Sequence, residues 1–143
     1  MTNSQTKTDL YLITGFLGSG KTTLLKNFLN NFSEIKVGVI VNEFGKIGID
    51  GKLVERENMD LIEINNGSIF CSCLENAFIK GLIDLLDYNL DKIFVETSGL
   101  SDPTNLDKII DEIKKISDQE FNYKGSICIV NANNFSKLIK TSQ

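Results

Sequence analysis

Gly15-Phe16-Leu17-Gly18-Ser19-Gly20-Lys21-Thr22 has the spacing G-x-x-x-x-G-K-T. That spacing suits one task above others, the holding of a polyphosphate. Glycines let backbone N–H groups turn inward around an anion with no Cβ in the way. A helix starting near Lys21 adds the positive end of its dipole to the same point. Gly15, Gly18, Ser19, Gly20, Lys21, Thr22 and Thr23 then form the cradle. Lys21 is placed to reach the β- and γ-phosphates, and the Thr22 hydroxyl to ligate Mg²⁺. Two acids have a place in the same chemistry. Glu96 ends an apolar run, Ile93-Phe94-Val95, and Gly99 follows three residues later. An acid there holds Mg²⁺ or its water shell, and the glycine N–H can touch the γ-phosphate. Glu43, in Asn42-Glu43-Phe44-Gly45, can orient a water or contact Mg²⁺, or can be an ordinary solvated loop acid.

These residues need strands and helices to hold them. Leu10-Tyr11-Leu12-Ile13 reads as a buried strand before the loop, and Thr23 to Leu29 as a helix after it. Ile35 to Val41 is a second, nearly continuous apolar strand. Asp60 to Ile64 alternates weakly, as a third and more exposed strand. Phe78, Leu82, Leu85 and Leu86 repeat at helical spacing within 75–86. Lys92 to Glu96 is a short buried strand. Leu106, Ile109, Ile110, Ile113 and Ile116 mark one helical face, and Ser126 to Val130 is a further strand, in which Cys128 is expected to pack in the core. A last helix is expected from Phe135. Alternating strands and helices predict a three-layer α/β fold of the P-loop NTPase kind with a mostly parallel sheet. Ligands of such sheets bind outside the carboxyl ends of the strands, where Glu96 falls.

The chain has 143 residues, one domain in length, with 41% hydrophobic and 24% charged residues and a net charge of −4. That charge argues against nucleic acid or an anionic membrane as the main partner. No apolar run approaches the ~20 residues of a membrane span, and the polar start has no signal-peptide core. Three cysteines fit a reducing cytoplasm better than a disulfide framework. Histidine is absent, which removes the commonest metal ligand and general base. Arg56 is the one arginine, few for an enzyme that clamps a moving phosphoryl group from several sides.

Four blocks together resemble the CobW-type family of P-loop GTPases, relatives of the nickel-insertion GTPases that serve urease and hydrogenase. They are G-F-L-G-S-G-K-T-T at 15–23, V-N-E-F-G-K-I-G-I-D at 41–50, I-N-N-G-S-I-F-C at 64–71 and E-T-S-G-L-S-D-P at 96–103. The resemblance implies a slow, cytoplasmic GTPase that assists metal handling or metal-cofactor assembly. Its partners would be a client metalloprotein or a cofactor-assembly protein, and a homodimer is compatible with it. It also makes residues 1–143 a P-loop nucleotide-binding domain. The C-terminal part of the family's GTPase domain and its second domain are expected to be absent from it.

The departures from the family pattern matter as much. The family carries C-x-C-C after the N-G turn, where this chain has Ser68-Ile69-Phe70-Cys71, with Cys73 two residues on. Cys71 and Cys73 offer two thiolates to Zn²⁺ or another soft transition metal. The alternative, two small residues near a turn, weighs evenly against it. Lys46 stands where the family has a second loop acid, and Asn131 where it has aspartate. Guanine-reading proteins use a carboxylate beyond this point. Residues 131–143 contain none, so little discrimination between GTP and ATP is expected.

The expected function is therefore Mg²⁺-dependent binding and slow hydrolysis of a nucleoside triphosphate, GTP or ATP. Lys21, Glu43 and Glu96 are the catalytic candidates, and turnover is expected to depend on a partner. Two rivals stand beside it. One is a nucleotide-binding module without turnover that docks on a metalloenzyme. The other, a small-molecule kinase, is disfavoured by the single arginine.

Overall fold

The computed structural model describes residues 7–32, 34–41, 59–63, 72–97, 104–133 and 135. Among the described residues five strands and three helices follow one another: β1 (Thr8–Gly15), α1 (Lys21–Asn31), β2 (Val37–Val41), β3 (Met59–Glu63), α2 (Ser72–Leu86), β4 (Lys92–Glu96), α3 (Thr104–Ile116) and β5 (Phe121–Ile129). They form one five-stranded sheet in the order β3-β2-β4-β1-β5, and every neighbouring pair is parallel. Parallel neighbours need crossovers, and each described crossover contains a helix. β1 and β4 lie side by side, yet α1 carries the chain from β1 towards β2 while α3 carries it from β4 towards β5. The two connections leave in opposite directions, so right-handed crossing puts α1 and α3 on opposite faces of the sheet. The point between β1 and β4 is thus the switch at which such sheets open a crevice for ligand.

Two apolar clusters confirm the three layers. On one face Leu10, Leu12, Ile93 and Val95 pack beneath α2 (Phe78, Leu82, Leu85, Leu86) and α3 (Ile109, Ile110, Ile113). On the other, Ile13, Val37, Val39, Val41 and Phe94 pack against Leu25 and Leu29 of α1, with Tyr11, Phe28 and Phe32 half-buried around them. Phe94 sits among three aromatic rings, Tyr11, Phe28 and Phe32, with centroids 5.3–6.0 Å away. Strands buried on both faces read as continuous apolar runs, the pattern of β2 and β4.

The predicted strands and the helices after Gly20, before Leu86 and before Ile116 are present, with shifted ends, while the last helix, expected from Phe135, lies mostly outside the described residues. α2 begins at Ser72 rather than Glu75, and β5 at Phe121 rather than Ser126. Ile116, expected on the buried face of α3, is 60% exposed at the last turn of that helix. Cys128 departs more instructively. Expected in the core, it is exposed. Leu10 pairs with Tyr123 but Leu12 with Ser126, so β5 carries one extra residue, a bulge at Lys124-Gly125. Phe121 and Tyr123 therefore face α3, whereas beyond the bulge Ile127 and Ile129 share the α1 face with Ile13 and Gly15. Cys128 falls on the opposite face, beside Thr14. Among the described residues nothing buries it there.

Candidate functional site

The phosphate-loop residues stand at the carboxyl ends of the central strands. Gly15 closes β1, Phe16 to Gly20 make the loop, and Lys21 opens α1. Gly20 is the N-cap with φ 103°, a left-handed conformation that glycine adopts without steric cost. No side chain caps α1, and its first turn holds no acid. The N–H groups of Lys21, Thr22 and Thr23 have no intrahelical acceptor, since a helix leaves its first donors unpaired. The next donor, Leu24 N, reaches Gly20 O at 2.9 Å. The helix thus presents unpaired donors and a positive dipole end to the crevice between β1 and β4.

Lys21 is only 4% exposed. Its ammonium donates to Gly15 O at 2.9 Å and Phe16 O at 3.1 Å, leaving one of three donors for a ligand. Phe16 O also accepts the Ser19 N–H at 3.0 Å. These bonds fold the loop back over its own lysine and hold the cation at the loop's centre. Gly15 is constrained by space: a Cβ there would lie 2.3 Å from Ile129 O of β5 and 2.8 Å from Ser19 Oγ. Any larger residue would separate the loop from the edge strand. Phe16 and Leu17, 67% and 77% exposed, form the outer lip.

Glu96 is the second half of the site. It ends β4 in register with Ile13 of β1 and Val41 of β2, and it is 1% exposed. The Thr22 hydroxyl donates to Glu96 Oε1 at 2.8 Å. Thr97 secures the strand end: its N–H and its hydroxyl both reach Ile13 O, at 2.9 and 3.3 Å. The sheet thereby brings together Gly15, Gly18, Ser19, Gly20, Lys21, Thr22, Thr23 and Glu96. Glu43, Gly99 and Cys71 lie outside the described residues, as does the side chain of Cys73, whose backbone is in the first turn of α2. Among the described residues no three His, Cys, Asp or Glu side chains converge on a common point.

The donor set at Thr22 and Glu96 suits Mg²⁺. Both groups offer hard oxygen, and a lone carboxylate with a hydroxyl leaves room for phosphate oxygens and water to complete an octahedron. The hydroxyl can keep its proton on Glu96 while its oxygen lone pair faces a cation. Motif reasoning located these residues but not what holds them. The carbonyls of Gly15 and Phe16 and the clamp by Thr97 are set by backbone geometry, which residue types do not encode. The T in E-T-S-G was the one available signal for Thr97.

Comparisons with known proteins place the chain in a family. Residues 9–143 match the family described as CobW/HypB/UreG, nucleotide-binding domain. The chain belongs to that family. It is 40% identical over 111 residues to the zinc chaperone CobW of Sinorhizobium sp, an alignment covering 72% of this chain and 31% of that protein. It is 42% identical over 99 residues to the zinc chaperone YjiA of Escherichia coli, covering 64% and 30%. The zinc-regulated GTPase metalloprotein activator 1 of Dictyostelium discoideum is 33% identical over 110 residues, covering 68% and 23%. This domain therefore spans about a third or less of the length of these relatives. The fold superposes on the Zn(II)-bound YjiA GTPase from E. coli with a TM-score of 0.62 and 27% identity, over 94% of this chain and 44% of that one. The hydrogenase maturation factor HypB from Archaeoglobus fulgidus shares the fold, with a TM-score of 0.58 at 15% identity, over 96% of this chain and 60% of that one.

Proposed function

We propose that this CobW/HypB/UreG domain binds a Mg²⁺–nucleoside triphosphate, GTP or ATP, and hydrolyses it slowly as a switch in metal handling. The reading is carried by one observation, the Thr22 hydroxyl bonded to the buried Glu96 carboxylate beside the Lys21 cradle. The names of the relatives, zinc chaperones and a zinc-regulated metalloprotein activator, support the metal-handling part.

The unpaired N–H groups at the start of α1 and the Lys21 ammonium meet the phosphate chain, and they are donors already in place before it arrives. Thr22 and Glu96 would hold Mg²⁺, with Glu96 keeping the Thr22 hydroxyl oriented. The chemistry a bound Mg²⁺ would supply is neutralisation of phosphate charge. Glu43 positions the attacking water in this reading, and the Gly99 N–H meets the γ-phosphate. Lys21 and the helix dipole stabilise the charge that develops, but one arginine and no histidine leave in-cis stabilisation weak. Turnover is therefore slow without a partner, a client metalloprotein or a cofactor-assembly protein, and the setting is cytoplasmic. Cys71 and Cys73 are the candidate ligands for Zn²⁺ as cargo.

Titration calorimetry with GTP, ATP and their diphosphates, with and without Mg²⁺, tests the reading, together with a phosphate-release assay. Mg²⁺-dependent triphosphate binding with slow phosphate release in the absence of an acceptor is the expected result. Tight binding without release would favour the docking module, and transfer only to an added acceptor the kinase.

A further inference from the structure

Thr97 is the first residue past the end of β4, yet it is 0% exposed. Chain leaving a strand usually turns to the surface, so complete burial of a polar residue there calls for a reason. Its N–H donates to Ile13 O at 2.9 Å, which continues the parallel pairing of Ile13 with Glu96. Its hydroxyl donates to the same oxygen at 3.3 Å. A carbonyl has two lone pairs, and the N–H already uses one. The hydroxyl is therefore a second tie between the ends of β1 and β4, beyond what the ladder requires. The side chains before it show what that tie controls. Ile93 and Val95 pack beneath α2 and α3, while Phe94 packs on the α1 face. Glu96 continues the alternation on the α1 side, where it accepts the Thr22 hydroxyl at 2.8 Å. Successive residues of a strand point to opposite faces, so a rotation of the strand end about its axis swings Glu96 and Thr97 together. Pinning Thr97 to β1 holds Glu96 still. The bonds also close a ring around the crevice. Two residues after Ile13, Gly15 O accepts the Lys21 ammonium; Thr22 follows Lys21 and bonds to Glu96, and Thr97 returns to Ile13.

We propose that the Thr97 hydroxyl is a positioning group that sets the orientation of the Glu96 carboxylate for Mg²⁺. This rests on the nucleotide reading above. Thr97 touches neither phosphate nor metal in it and acts through Glu96. A carboxylate that must accept the Thr22 proton and serve a cation depends on its angle, and groups behind such a ligand commonly fix that angle. Without the hydroxyl, Glu96 ranges over more orientations. The N–H donors of α1 and the Lys21 ammonium stay where they are, because none of their bonds involves Thr97. The loss therefore falls on the metal-dependent part of nucleotide binding.

Thr97→Val, Thr97→Ala and Thr97→Ser test this beside the parent chain. Valine keeps the β-branched shape, and Ile13 O stays paired with the N–H of residue 97, so no buried carbonyl is orphaned and the variant is expected to fold. Calorimetry measures affinity for GTP and ATP with Mg²⁺ and with a chelator, and the ratio of the two is the metal-dependent gain. That gain is expected to fall about three- to tenfold in Thr97→Val, the worth of one neutral hydrogen bond, and likewise in Thr97→Ala. Affinity in chelator is expected to stay within about twofold of the parent. Thr97→Ser, which keeps the hydroxyl, is expected to retain the parental gain within about twofold. A parental gain in the valine or alanine variant would overturn the proposal. So would a serine variant as weak as valine, which would assign the effect to packing of the methyl group. Equal losses with and without Mg²⁺ would overturn it too, as the mark of a hydroxyl that merely supports the strand end. A parent chain with no metal-dependent gain for either triphosphate would instead overturn the nucleotide reading, and this proposal with it.

Discussion

The Thr22 hydroxyl donates to Glu96 Oε1 across 2.8 Å, joining the first turn of α1 to the last residue of β4. The two residues are 74 positions apart in the chain, and β2, β3 and α2 lie between their elements in the chain's path. Through that bond the helix that meets the phosphate and the strand that ends in an acid form one unit.

Replacing Glu96 by Gln tests whether charge at that bond matters. The amide oxygen can still accept the Thr22 proton, so the variant is expected to fold. Loss of the carboxylate is expected to weaken the Mg²⁺ dependence of triphosphate binding and to slow phosphate release, with less effect on the diphosphate. Equal Mg²⁺ affinity and equal release in the variant would reduce Glu96 to a structural acceptor.

Lys21→Ala is expected to abolish triphosphate binding, because a charge-assisted contact to phosphate contributes on the order of 2–3 kcal/mol. The lysine also has a structural side that its motif does not reveal. It is buried and donates to two carbonyls, so the thermal midpoint is expected to drop as well. Lys21→Met keeps much of the buried stem and separates the two effects. A methionine variant with parental triphosphate affinity would disprove the role of the ammonium.

At the opposite end of the sheet, Asp9 predicts a pH dependence of stability. Burial raises its pKa, but hydrogen bonds from Asn122 and Lys124 and the charges of Lys124 and Lys92 outweigh this, holding it below the ordinary carboxylate value. A depressed pKa in the folded state adds stability above the unfolded value of about 4, and the gain is lost as pH falls through the folded value. Urea unfolding of the parent and of Asp9→Asn should therefore differ near pH 7 by about 1 kcal/mol or less. The gap should close as the pH falls through the lowered folded-state value. A gap independent of pH would show that the ion pairs contribute nothing.

If Cys71 and Cys73 hold Zn²⁺, the metal should protect thiols from a reactive probe and release protons as they ionise. Cys128 is exposed and reacts on its own account, so the experiment belongs in a Cys128→Ser background. There, Cys71→Ser should abolish zinc protection. Zinc retained by the Cys71→Ser/Cys73→Ser double variant would end the proposal.

Much of this protein is legible in its residues because the physics involved is local. A glycine-rich turn between an apolar run and an amphipathic one states strand, anion loop and helix at once, and Glu96 at the end of an apolar run states its place at a strand's carboxyl end. Continuous runs such as Val37–Val41 announce strands covered on both faces, and hence helices in two layers. What depends on contacts between distant segments was decided only by the tertiary structure. The order β3-β2-β4-β1-β5 sets Glu96 against Thr22, and no periodicity within a strand encodes its neighbours. The bulge at Lys124-Gly125 turned Cys128 outwards, because one extra residue exchanges the faces of a strand whose side-chain period is two. The close approach of Ile129 O to Gly15, which leaves no room for a Cβ, likewise exists only once β1 and β5 have paired.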